Sequence, residues 1–434
     1  MVHGRRWGAF GLIVLLAQAA GACDGGTGAE GSGEGSGGVS GAAADASAGS
    51  GGAAGTVGSS GNSGSTGSSG SAGLAGSSGS AGTAGSAGAA DSGATDAAAG
   101  SGGSGGSGGA AGSGDAAALA LSQVEYWAYQ IQSLDGVGAV DPLVASHYDL
   151  VVLEPTRTDV GASDFDTLGM VTRLKASTGS DGLRRKLVVA YVDIGEAEDW
   201  RWYWTWSSSW PSGPKPADWP AYIVTKDPQG WAGNYPVAFW DPAWKDVIIY
   251  GQQQTPDANR NYDSVIDEAV VDGFDGIYLD WVEAFEDATV MAAAGSLDLA
   301  SEMIAFIGEM RAHAQAMHPG FLIIQQNAAS LATGHPELFG VIDALAQEAI
   351  WFDGDADVAW GGASGHDIVT DSALTSEYLQ NLAVFQSAGL PVFDCEYAVS
   401  NASTAYARAS AHGFVGHATR RSLSQLTTTP PPGY

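Results

Sequence analysis

Eight short apolar runs recur between residues 124 and 418, and several of them stop on or just before a polar side chain. They are Val124–Ile131, Tyr148–Glu154, Lys186–Val192, Gly273–Asp280, Phe321–Asn327, Ile342–Glu348, Pro391–Tyr397 and Gly413–Ala418. Their bulky, β-branched character suits strands buried on both faces. Between them lie longer segments with apolar residues at helical spacing: residues 163–176 with Ser163 as the expected cap, then 244–250, 262–271, 296–317, 376–387 and 402–412. No hairpin turn joins successive runs. Strands that alternate with helices call for a parallel sheet, and eight repeats predict an α/β fold of the (β/α)8 TIM-barrel type. An open doubly wound sheet would carry a glycine-rich phosphate turn after its first strand. Gly136-Val-Gly138 lacks the third glycine and the helix start.

The barrel is expected over residues 121–425, with 426–434 as a flexible tail. Residues 24–120 are almost wholly Gly, Ala and Ser. Such a composition cannot bury enough apolar surface to offset the entropy of ordering, so a disordered linker is expected there. Residues 1–23 read as an export signal: Arg5-Arg6, an apolar stretch from Phe10 to Leu16, and Ala20-Gly-Ala-Cys23. The last four resemble a lipobox, which makes Cys23 the expected lipidation site and the long linker a spacer from a membrane. An ordinary secretory signal cut near Ala22 is the alternative. The expected location is extracellular or in the cell envelope, lipid-anchored, with no membrane contact beyond the anchor and a monomeric barrel. Cys395, the other cysteine, sits in an apolar run as a small core residue.

Charge narrows the partners. The chain carries a formal −31, and the part after residue 120 holds 41 acids against 15 bases. Nucleic acid is excluded as a partner on that ground, whereas a cationic ligand is compatible. The eight histidines include no His-Glu-x-x-His and no close pair of metal-ligand spacing. There is no Gly-x-Ser-x-Gly turn and no Gly-Lys-Ser/Thr phosphate loop. No metal and no cofactor is expected.

In a barrel, side chains at strand ends converge on one mouth although they are far apart in sequence. Here that set is Glu154, Asp193 with Glu196, Asp280, Asn327, Glu348 and Glu396, and Glu283, Glu286 and Asp287 add acids to the rim after Asp280. Asp280 and Glu348 stand out because apolar residues flank each on both sides. A carboxyl in such a place is costly unless it is paired or protonated. Two carboxyls across a barrel mouth are what glycoside hydrolysis uses; an ion-pair network bracing the rim would use them equally well. Nine of the fourteen tryptophans fall between Trp200 and Trp244. Their faces could stack on sugar rings, or they could pack a long insertion that has no other core.

Four ordered segments carry a resemblance: Tyr191-Val-Asp-Ile-Gly-Glu-Ala-Glu-Asp-Trp-Arg201, Trp231 to Trp244, Gly273 to Asp280, and Ile324-Gln-Gln-Asn327. Together they resemble glycoside hydrolase family 114, the endo-α-1,4-polygalactosaminidases, over about residues 121–420. The resemblance implies a barrel that cleaves internal α-1,4 bonds of a galactosamine-containing polysaccharide. It implies Asp280 as nucleophile and Glu348 as acid/base in a retaining reaction. Around the sugar it implies Asp193, Glu196, Arg201, Asn234, Tyr235, Trp240 and Asp241, and strand-end convergence adds Tyr129, Asn327 and Glu396. A catalytically silent polysaccharide-binding barrel, and a glycosidase for another α-linked polymer, remain alternatives.

Overall fold

The computed structural model describes residues 118–207, 210, 212–251, 259–355 and 358–434. Cys23, the export signal and the linker up to residue 117 lie outside the described residues. Eight parallel strands follow one another around a single sheet: β1 (Trp127–Gln130), β2 (Leu150–Leu153), β3 (Leu187–Asp193), β4 (Gly276–Asp280), β5 (Leu322–Gln326), β6 (Ala344–Glu348), β7 (Val392–Glu396) and β8 (Val415–Ala418). Each is hydrogen-bonded to its sequence neighbour in parallel register. The ring draws together between β8 and β1, where the Trp127 indole N–H donates to the Val415 carbonyl at 2.8 Å. This is the TIM-type barrel that the strand–helix alternation predicts.

Strand periodicity decides what points where. Trp127, Tyr129, Val189, Tyr191, Tyr278, Ile324, Phe393 and Cys395 fill the barrel interior. Their alternates, among them Val188, Ala190, Ile277, Leu279, Ile323 and Leu345, pack outward in the same layer as Met303, Phe306, Ile307 and Met310 of the helix Leu299–Met317. Asp280 shares the inward phase of Tyr278. Glu348 shares that of Ala344 and Ala346. Both carboxyls therefore point into the mouth because of where their strands stop.

Several local expectations change. Asp166, not Ser163, caps the helix Thr167–Lys175, its Oδ1 accepting from the Gly169 N–H at 2.8 Å. Residues 242–250 begin as α-helix and continue as a wider π-turn over Asp246–Tyr250. The tail is docked: the Tyr434 ring lies 4.7 Å from that of Tyr148, and its hydroxyl accepts from the His147 N–H at 3.0 Å. The segment between β3 and β4 builds its own small core. A ribbon pairs Glu196–Glu198 with Asn234–Pro236. Above it Trp204 contacts Trp219 and Tyr235 at 4.8 and 5.2 Å, and Trp202 and Trp244 are buried. Most of these tryptophans pack the insertion.

Candidate active site

A cavity of about 460 Å³ occupies the C-terminal mouth of the barrel. Asp280 and Glu348 both line it, with Tyr129, Tyr191, Glu196, Asn234, Asn327 and Tyr397. Each carboxyl of the pair is held by a tyrosine hydroxyl and an amide. For Asp280, the Tyr191 hydroxyl donates to Oδ2 and the Trp281 N–H to Oδ1 at 2.7 Å. For Glu348, which is 8 % exposed, the Tyr397 hydroxyl donates to Oε1 and the Asn327 side-chain amide to Oε2 at 3.3 Å. Asn327 is itself fixed, accepting from the Glu348 N–H at 2.9 Å and the Gln347 amide at 3.0 Å.

Burial, and then the negative charge of Glu348, push the Asp280 carboxyl up to about 6. The Tyr191 and Trp281 donors and the Arg421 guanidinium pull the other way. The Glu348 charge across the cavity thus acts with burial against ionisation of Asp280. The backbone is strained where these groups sit. Trp281, Asn327 and Ala349, the residues that follow the ends of β4, β5 and β6, are left-handed at φ 54°, 52° and 53°. Such a turn throws the chain outward at once, leaving the last side chain of the strand aimed inward.

Of the residues the sequence singles out, Tyr129, Glu196, Asn234, Asp280, Asn327 and Glu348 come together around the cavity. The others stand elsewhere. Arg201 is buried in an ion pair with Glu154 and Glu198. Tyr235 is stacked on Trp204 inside the insertion. Trp240 packs on Phe239, and Asp241 caps the helix Pro242–Lys245 through the Ala243 N–H at 2.9 Å. Asp193 lies beneath the rim, its Oδ1 accepting the Gly195 and Glu196 N–H groups. Glu396 faces outward and accepts the Trp351 and Phe352 N–H groups. The six do not line the cavity because each already satisfies a local backbone or packing need.

The cavity also takes in Glu283, one of the rim acids that follow Asp280, and residues that strand-end reasoning passed over: Tyr191, Gln326, Tyr397, Trp231 and Arg421. Tyr191 and Tyr397 were findable, since each lies in phase with the interior of its strand. Arg421 carries no such signal. It lies beyond β8, pairs with Asp353 at 2.6 Å and faces the Tyr397 ring at 5.2 Å.

The cavity wall is rich in unused acceptors. Glu196 Oε1, Asn234 Oδ1, Glu283 Oε2, Gln326 Oε1 and Gln347 Oε1 are buried with no hydrogen-bond partner among the described residues. Leaving a buried acceptor unsatisfied costs about 1–3 kcal/mol, so this wall suits a ligand rich in donors.

Comparison with known proteins matches residues 110–430 to the model of glycoside-hydrolase family GH114. An uncharacterised protein of Deinococcus radiodurans is 30% identical over 314 residues, 72% of this chain and 85% of that one. One from Methanocaldococcus jannaschii is 30% identical over 234 residues, 52% of this chain and 57% of that one. Among solved structures, the glycoside hydrolase domain of PelA from Pseudomonas aeruginosa is 15% identical at a TM-score of 0.43, covering 69% of this chain and 96% of that one. Aspergillus fumigatus Ega3, solved in complex with galactosamine, is 14% identical at 0.45, covering 71% and 98%. With three-quarters of its length matched in this way, the chain belongs to glycoside-hydrolase family GH114.

Proposed function

We propose that this glycoside hydrolase cleaves internal α-1,4 bonds of a galactosamine-containing polysaccharide with retention, Asp280 acting as nucleophile and Glu348 as acid/base. The observation that carries the reading is the convergence of these two carboxyls on one cavity, each held by its own tyrosine and amide. In the first step Asp280 attacks the anomeric carbon while Glu348 gives its proton to the departing glycosidic oxygen. In the second, Glu348 takes a proton from water as the water displaces Asp280 from that carbon. The Tyr191 hydroxyl and the Trp281 N–H favour the Asp280 anion that attack requires, against the burial that raises it. The acceptor-rich wall and the acid excess support an amino sugar, whose ammonium and hydroxyl groups supply donors. Export and anchoring through Cys23, and a monomeric barrel, complete the reading.

The test is reducing-end release from partly deacetylated and fully acetylated α-1,4-galactosaminan by the purified protein. Asp280→Asn is expected to abolish release while melting like the parent. An active Asp280→Asn protein removes Asp280 from the mechanism. Binding without release by folded parent protein would favour a silent polysaccharide-binding barrel, and release from a neutral α-linked polymer alone would change the substrate.

A further inference from the structure

Another carboxyl beside the pair stands in the cavity with no part in the two-step reaction. Glu283 lies in the short 3-10 turn Val282–Phe285, immediately after the left-handed Trp281, and lines the same cavity as Asp280 and Glu348. Its Oε2 is buried without a partner among the described residues. The charges that act on it most are Asp280 from β4 and Glu348 from β6; the Asn327 side chain, after β5, hydrogen-bonds it, and it acts in turn on Tyr378 of the helix Ser372–Ser387. None of them is a cation. Arg421, on the cavity wall, is engaged by Asp353. Glu283 therefore waits on a positive charge that the surrounding protein does not provide.

Sugar chemistry says where such a charge would fall. In a hexosamine the amine sits on the carbon next to the anomeric carbon. If Asp280 attacks the anomeric carbon, the group that recognises the amine must stand beside Asp280. We propose that Glu283 reads the amino substituent of the sugar held against Asp280, an inference that rests on the galactosamine reading above. An ammonium group meets a carboxylate there, whereas an acetamide brings bulk and no charge.

This predicts a proton count. Burial, and then the charges of Asp280 and Glu348, raise the free Glu283 carboxyl to about 8, so at neutral pH it holds its proton. When an ammonium sugar binds, the carboxyl gives that proton to solvent and pairs with the ammonium as an anion. An N-acetylated sugar leaves the proton in place.

The experiment is calorimetric titration of the parent protein and of Glu283→Gln with galactosamine and with N-acetylgalactosamine, monosaccharides that offer no glycosidic bond to cleave. Two buffers of different ionisation enthalpy near pH 7 report protons released. The parent is expected to release close to one proton with galactosamine and none with the acetylated sugar. Glu283→Gln is expected to abolish that release and to lower the affinity ratio between the two sugars about tenfold or more. No proton release by the parent, or an unchanged ratio in Glu283→Gln, overturns the proposal. The parent's proton count decides the matter alone should the variant fail to fold. Polymer turnover, measured beside it, separates the two readings. Turnover of the amino polymer with an unchanged ratio sinks only the role of Glu283, while failure to turn over or bind any amino sugar sinks both.

Discussion

Replacing Tyr191 by Phe removes one oxygen, and its consequence can be worked out from the structure. The Tyr191 hydroxyl donates to Asp280 Oδ2, and the ring is buried against the barrel interior. A hydrogen bond to a charged group is worth about 1.5–3 kcal/mol. Each pKa unit corresponds to about 1.4 kcal/mol, so losing the bond raises the Asp280 carboxyl by roughly one to two units. The starting point is about 6. A nucleophile must be ionised, so kcat/KM rises with pH through this ionisation. The hydroxyl favours the anion, and without it the acid limb must move up, never down. Near pH 6 the ionised fraction falls from about half to roughly a tenth or less, and activity falls with it. The assay is initial-rate reducing-end release across about pH 4.5 to 9, with parent and variant on the same substrate. Thermal melting checks that the fold survives. An acid limb that stays in place or moves down, in a variant that melts like the parent, would refute the assignment of Asp280 as the group that acts ionised.

Two further expectations concern the fold. Arg201→Met removes the cation that pairs with the buried carboxylates of Glu154 and Glu198, and breaking a buried pair from one side costs about 3–5 kcal/mol. Denaturant unfolding is expected to show that loss, and one below about 1 kcal/mol would mean that the network is not structural. The second is a fall in stability as pH rises from the acid range to about 8. Burial raises Glu198 and Glu396 to about 7 and Glu268 to about 8, and burial with the neighbouring Glu396 raises Asp394 well above the carboxylate range. A raised acid contributes stability that is complete below its unfolded pKa, near 4, and is lost as pH rises through the folded value. The melting temperature should therefore decline between about pH 4 and 8, and Asp394→Asn should flatten part of the decline. A flat profile in the parent, or an unaltered slope in the variant, would count against it.

The barrel was legible because a parallel sheet buried on both faces leaves apolar runs and helical spacing in strict alternation. The two facing carboxyls were legible for a related reason: Asp280 and Glu348 are polar interruptions in apolar surroundings, and strand phase turns both inward. The same rule failed at Glu396. In β7 both Asp394 and Cys395 are fully buried, so the two faces of the strand look alike in sequence. Residue type alone could not separate Arg201 from a sugar ligand, because its partner Glu154 lies 47 positions away and only tertiary structure joins them. The tryptophans misled for a different reason. A long insertion must find its own core, and Trp202, Trp204, Trp219 and Trp244 supply it before any is left to face a ligand. Trp231 is the member of this group between Trp200 and Trp244 that lines the cavity.

The mouth departs from what stability alone would choose. Three residues in left-handed backbone, six carboxyls around one cavity and several unsatisfied oxygens all act against folding. They also share one geometric origin. A strand that ends inward must turn away at once, or its next residue would fill the space its last side chain has opened. Left-handed Trp281 and Ala349 make that turn after Asp280 and Glu348, and Asn327 makes it while its amide holds Glu348. The strain is thus the means by which β4, β5 and β6 deliver polar side chains to one space without backbone in the way. An eight-stranded core beneath, filled by Trp127, Tyr129, Tyr278 and Phe393, is what keeps those turns from relaxing.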